Sequence, residues 1–165
     1  MRILIDCNII VSAAISGGVC LRVIAEARDN HTILVSEEIL DEYRRVAGYS
    51  KFSETNKIKM HVLIEELALR AECVSVPENP PKTEGISDAD DLVYVVAAHV
   101  GEADAIVTGN TNHFTAPSYG PALVVTPQVH QRHCPLLNPQ PFPFQRPGNQ
   151  PTQHAGVCGS PHQPL

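Results

Sequence analysis

The sequence predicts one α/β domain with a mostly parallel sheet and helices on both faces. Two observations carry this. Short aliphatic runs recur at Arg2–Ile5, Thr32–Val35, Ala105–Thr108 and Leu123–Thr126. They are brief and apolar on both sides, as strands buried on both faces are. Between them, residues 20–28, 37–47, 56–71 and 89–100 repeat apolar side chains at spacings of three and four, the stripe of a helix packed on a core. Cys73–Val76 offers one further short strand. Strand and helix in alternation give a parallel sheet through right-handed crossovers. Sites in such sheets form beyond the C-terminal ends of the strands. Asp6, Ser36 and the pair Gly109-Asn110 stand there.

The composition sets the limits of this domain. Of 165 residues, 43% are hydrophobic, which is enough for a core and argues against wholesale disorder. The formal net charge is -6, and no Asp or Glu lies beyond Asp104. The folded part is therefore more acidic than the whole chain, which argues against a generic electrostatic nucleic-acid binder. The 5 Cys residues form no CxxC pair, so the sequence predicts neither a disulfide framework nor a zinc site. Asp6 interrupts the first apolar run, and no apolar stretch approaches the ~20 residues of a membrane span. A cytoplasmic protein without membrane contact is expected.

After Gln128 the character changes. Nine of the 14 Pro residues lie from Pro127 onward, among Gln, Asn, His and Gly. Such a stretch builds no core easily. The expected division is a folded domain over residues 1–128 and a Pro-rich, disordered tail over 129–165. The tail's histidines, His130, His133, His154 and His162, lack metal-ligand spacing.

The candidate chemistry rests on carboxylates. Asp6 closes the first strand, where it opens onto the crevice or caps the next helix. Glu42 falls in line with Ile39 and Val46 on the inner stripe of its helix. Asp41 shares the opposite face with Glu37, Arg44 and Arg45. Ser87 with Asp90 fits a capping box, whereas Asp91 heads a stripe through Val95 and Ala98. Asp88 lies about one turn earlier on the Asp91 face. Thr108 and Asn110 sit at the mouth of the sheet, and Gly109 allows a tight turn and a close backbone approach. His113 stands in the loop that follows, within reach of a phosphate or merely exposed. Two carboxylates ~5 Å apart repel by roughly 3 kcal/mol at an effective dielectric near 20. Three inward acids remain ionised together only if a cation offsets them. All-oxygen ligands favour Mg²⁺ or Mn²⁺, ions suited to phosphodiester hydrolysis.

Asp6-x-Asn8 after the first strand, SEEILDEY, DADD heading a helix and IVTGN-xx-HF after a later strand together resemble PIN-domain nucleases, in particular VapC-like toxins of toxin–antitoxin pairs. The resemblance covers about residues 1–128. It implies a three-layer α/β/α sandwich and a Mg²⁺- or Mn²⁺-dependent endoribonuclease that acts on RNA, forms a homodimer and is held by an antitoxin protein. Carried over by position, Asp6, Glu42 and Asp91 would be the catalytic, metal-binding acids. Asn8 would orient Asp6, and Thr108 would line the site. Asn110 stands where the family places a fourth acid, and Asn112 where a further Asp often follows; this departure bears on a second metal and on rate. Arg44 and Arg45, with Lys51, Lys57 and Lys59 nearby, would hold RNA phosphates, or form an ordinary solvated face. Two other readings compete. One is a PIN-like scaffold that binds RNA or a protein with little catalysis. The other is a haloacid-dehalogenase-type phosphatase, which needs Asp-x-Asp where this chain has Asp6-Cys7-Asn8. A phosphate-receiver domain shares the fold class but needs a well-placed Lys after the last strand.

Overall fold

A computed structural model describes residues 1–78 and 89–133. The elements follow in the order β1 (Arg2–Ile5), α1 (Cys7–Ser16), α2 (Gly18–Asn30), β2 (Thr32–Val35), α3 (Glu37–Ala47), α4 (Glu54–Ala68), β3 (Glu72–Cys73), α5 (Ala89–Val100), β4 (Ala105–Val107), β5 (Ser118–Tyr119), β6 (Ala122–Val125) and α6 (Pro127–His133). The strands form one sheet in the order β3-β2-β1-β4-β6-β5. Every pairing is parallel except β5 with β6. This is the three-layer α/β/α sandwich.

The central strands are apolar on both faces, and their burial is nearly complete. Ile3, Leu4, Ile5, Leu34, Ala105, Ile106 and Val107 expose none of their surface. α1, α2, α3 and α4 pack on one another, while α5 packs against β1, β2, β4 and β5. Right-handed crossovers explain the division. The chain steps outward from β1 through β2 to β3, then returns to place β4 on the other side of β1. That reversal puts the connecting helix, α5, on the opposite face. It also makes the gap between β1 and β4 the topological switch point, where an open α/β sheet leaves a crevice. Asp6 directly follows β1 and Thr108 directly follows β4, and Ile5 pairs with Val107 across the two strands.

Several elements differ from the sequence expectation. Residues 7–16 are a full helix, capped by Asp6. It ends at Gly17, whose φ of 65° suits glycine, and the chain bends by 119° into α2. The third strand is only Glu72–Cys73, both exposed at the sheet edge. β5 is a two-residue antiparallel edge strand, too short for a periodicity. The expected domain limit at Gln128 falls inside α6, which continues to His133. α6 shows no apolar stripe in the sequence, and among its described side chains the fully buried His130 bonds to Glu26. Residues 134–165, the remainder of the Pro-rich tail, lie outside the described residues. Among the described residues, no single helix is long and apolar enough to cross a membrane.

The packing around α5 generates one prediction. A Cβ on Gly101 would stand 2.7 Å from Leu34 Cδ1, 3.0 Å from the Ala97 carbonyl oxygen and 3.0 Å from Val74 Cγ1. Leu34 is wholly buried, so the clash has no outlet. Gly101→Ala is expected to destabilise the fold by about 1–3 kcal/mol, read as a lower urea midpoint at unchanged slope.

Candidate metal centre at the mouth of the sheet

Asp6 is the hub. Its position follows from backbone geometry: the N–H of Asp6 donates to the Val107 carbonyl at 2.9 Å, extending the β1–β4 ladder by one bond. Its carboxylate caps α1 by accepting from the Asn8 N–H at 3.1 Å. The Asn8 side-chain amide and the Thr108 hydroxyl both donate to Asp6 Oδ2 at 2.5 Å. Asn8 Oδ1 in turn accepts from the Gly109 N–H at 3.0 Å, and Thr108 Oγ1 accepts from the Asn110 N–H at 3.0 Å. The loops after β1 and β4 are thus knotted together through one carboxylate. Gly109 is required by proximity rather than by backbone angle, because a Cβ there would lie 3.0 Å from Asn8 Oδ1.

The other two candidate acids are carried by different helices. Asp91, buried on the first turn of α5, lies 3.2 Å from Nδ1 of the half-exposed His113. His113 is also within electrostatic range of Asp6. Glu42 is half-buried on α3. Its charge and that of Asp6 act together on Cys7, Tyr43 and Tyr94. Burial, with these two acids, pushes the Cys7 thiol up to about 12, so Cys7 is a neutral packing residue here. The structure joins Asp6, Asn8 and Thr108 by direct hydrogen bonds, sets Glu42 within electrostatic range of the same buried groups, and places Asp91 beside His113; among the described residues the three acids do not form a ready-made ligand cluster. Asn110 reaches Thr108 by its backbone. Asp88 lies outside the described residues.

Two tyrosines complete the site from below. The Tyr43 hydroxyl donates to the Ile5 carbonyl, and the Cys7 N–H donates to the Tyr94 hydroxyl at 3.2 Å. Both rings are almost wholly buried. They brace the backbone on either side of Asp6 from α3 and α5, the helices that carry Glu42 and Asp91. Sequence reasoning passed over them because an inward Tyr reads as core. The signal was adjacency: Tyr43 follows Glu42, and Tyr94 lies one turn after Asp91.

The cationic residues divide. Arg45 acts on Cys7 beneath Asp6 and donates to the Tyr49 hydroxyl at 2.7 Å, which places it beside the crevice. Arg44 pairs with Asp41 at 3.4 Å on the exposed face of α3. Lys51 lies over the Tyr49 and Phe52 rings, 5.4 and 5.1 Å from their centroids, and Lys57 pairs with Glu54.

Burial raises the carboxyl pKa of Asp6, and the bonds from Thr108 and Asn8 offset this only in part. The folded state therefore holds that proton more tightly than the unfolded chain does. Ionising Asp6 costs stability as pH rises through its folded pKa, and a bound cation recovers it. All donors are oxygens, a set that fits Mg²⁺ or Mn²⁺. Stabilisation by Mn²⁺ is expected to be absent at acidic pH and to grow as pH rises through the raised pKa of Asp6. At free Mn²⁺ one hundred times its Kd it should reach about 2.7 kcal/mol. Asp6→Asn should remove the effect while leaving the metal-free protein at pH 7 no less stable; thermal unfolding across pH reads both. Gly109→Ala should push Asn8 off Asp6, costing about 1 kcal/mol and roughly 10–100-fold in Mn²⁺ affinity, measured by titration calorimetry.

Comparison with known proteins bears on the family and the fold. The family model of the PIN domain matches residues 2–112. Among solved structures, the chain is similar to one in VapBC2 from Rickettsia felis, bound to a DNA fragment from their promoter. The TM-score is 0.53, with 19% identity, over 76% of this chain and 98% of that one. It is also similar to a chain of VapBC-1 from nontypeable Haemophilus influenzae, with a TM-score of 0.50 and 18% identity, over 78% and 99% of the two chains. At such identities the likeness is one of fold. No curated protein matches the sequence. A match over most of the described domain places the chain in a family: it belongs to the PIN domain family.

Proposed function

We propose that this protein is a divalent-metal-dependent endoribonuclease, the toxin of a toxin–antitoxin pair, acting in the cytoplasm. The observation that carries the reading is the buried Asp6 carboxylate at the β1–β4 switch point, with Glu42 within electrostatic range of the same buried groups and Asp91 beside His113. Asp6, Glu42 and Asp91 would hold Mg²⁺ or Mn²⁺. The ion would neutralise phosphate charge and activate water for attack on an RNA phosphodiester. The chain's own residues supply order. Asn8 and Thr108 fix the Asp6 carboxylate, and Tyr43 and Tyr94 fix the backbone beneath it. His113, half-exposed beside Asp91, is placed to meet a phosphate oxygen. Arg45, with Arg44 further out, would hold the RNA backbone along α3.

The antitoxin is inferred from the company of the fold, since both similar structures are VapBC assemblies. A protein partner, whether antitoxin or second copy, also has an apolar face to cover. Ile15, Leu21, Ile58 and Val62 stay 43–64% exposed around a groove between the α1–α2 bend and α4.

A second reading is a PIN scaffold with weak catalysis. It is favoured by Asn110, which brings an amide to a position where the family resemblance implies an acid, and which reaches the site through its N–H.

Purified protein incubated with single-stranded and structured RNA separates the two. Cleavage is expected with Mn²⁺ or Mg²⁺, is abolished by a chelator, and falls at least about 100-fold in Asp91→Asn, the scale of losing one group that stabilises developing charge. Asn110→Asp is expected to raise the rate. A folded, metal-binding wild type that cleaves nothing, with activity only in Asn110→Asp, would establish the scaffold reading instead.

A further inference from the structure

A second cluster of titratable groups lies away from the carboxylate site. Glu26 is on the inner face of α2, His31 caps the C-terminus of that helix, and His130 is on α6. The three side chains are 6%, 3% and 1% exposed. His31 Nε2 is 3.0 Å from Glu26 Oε1. His130 Nε2 is 2.8 Å from Glu26 Oε2. The two rings meet edge to face, 5.3 Å apart. His31 immediately precedes β2, whereas Asp6 and Thr108 follow β1 and β4. Because these strands are parallel, His31 belongs to the opposite end of the sheet from the carboxylate site.

The proton inventory is telling. His31 Nδ1 lies 2.7 Å from the Asn30 carbonyl oxygen. A carbonyl only accepts, so Nδ1 carries the proton and the neutral ring turns a lone pair toward the Glu26 carboxylate. His130 Nδ1, wholly buried, has no hydrogen-bond partner among the described residues, so Nε2 makes that ring's polar contact. With Nδ1 as the donor, an acceptor nitrogen of neutral His31 faces an acceptor oxygen of Glu26. One divalent cation satisfies two imidazole lone pairs and a carboxylate at once.

We propose that Glu26, His31 and His130 form a zinc site that fastens α6 to α2. Two His and one Glu are a zinc donor set, with the fourth position left to water. One atom from each residue can be chosen so that all lie within 4.8 Å of one another. Ligand atoms around tetrahedral zinc are about 3.3 Å apart for bonds near 2.0 Å, so with one Glu26 oxygen as ligand the three side chains draw together by up to about 1.5 Å to close on the ion. The Asn30 carbonyl supplies the outer partner that metal-bound histidines use to fix their ring. Histidine spacing in the tail gave no hint of this, because the other two ligands come from residues 26 and 31.

The test is zinc titration of the full, untagged chain in excess Mg²⁺, with bound metal counted by atomic emission. The expected result is one zinc per chain and a raised melting temperature. Affinity should fall at least tenfold in His130→Gln and in Glu26→Gln and stay unchanged in His154→Gln. Cobalt on the wild type gives an independent readout should a variant misfold: a tetrahedral nitrogen and oxygen spectrum is expected. Zinc affinity indifferent to His130→Gln and Glu26→Gln, a cobalt spectrum with thiolate charge transfer, or a folded wild type that binds no zinc would each overturn the site.

Discussion

Asp6 carries a carboxylate into a place where only 7% of the residue meets solvent, and the neighbouring chain is arranged around the cost. Burial of an ionised acid is tolerable when its oxygens are bonded, and here Asn8, Thr108 and the start of α1 all donate to it. Those donors belong to the loops after the two central strands. The carboxylate is therefore also the tie that closes the sheet's mouth. The donors do not fully offset burial, and that remaining cost is what makes the site receptive to a cation.

The rest of the architecture serves this position. The reversal of strand order between β1 and β4 opens the crevice. α3 and α5 carry Glu42 and Asp91 to it, each with a tyrosine that grips the backbone next to Asp6. His113 stands beside Asp91, its Nδ1 3.2 Å from the carboxylate on the solvent side. A cation entering the crevice competes with that imidazole. The same loop that positions His113 also carries Asn110, whose amide adds no charge to the pool.

Much of this was legible in the sequence. The β-branched runs that end in Asp6 and Thr108 mark central strands, and the stripes through Glu42 and Asp91 point both acids inward. Gly109 announces a close approach, met in the structure by Asn8. What could not be read has physical reasons. β5 is too short to show a period. α6 has no apolar stripe, and its fully buried His130 bonds to a carboxylate, so residues 127–133 read as the start of a polar tail. Tyr43 and Tyr94 look like core until their hydroxyls are seen against the backbone at Asp6. The grouping of Glu26 with His31 and His130 is tertiary, and no local pattern contains it.

The measurement that bears most directly on the three-acid centre is Mn²⁺ binding by electron paramagnetic resonance at neutral pH, compared across Asp6→Asn, Glu42→Gln and Asp91→Asn. Saturable binding that each substitution weakens at least about tenfold, the scale expected when a metal site loses support, is the predicted result. Folded variants that bind Mn²⁺ as the wild type does, or a folded wild type without saturable binding, would contradict it.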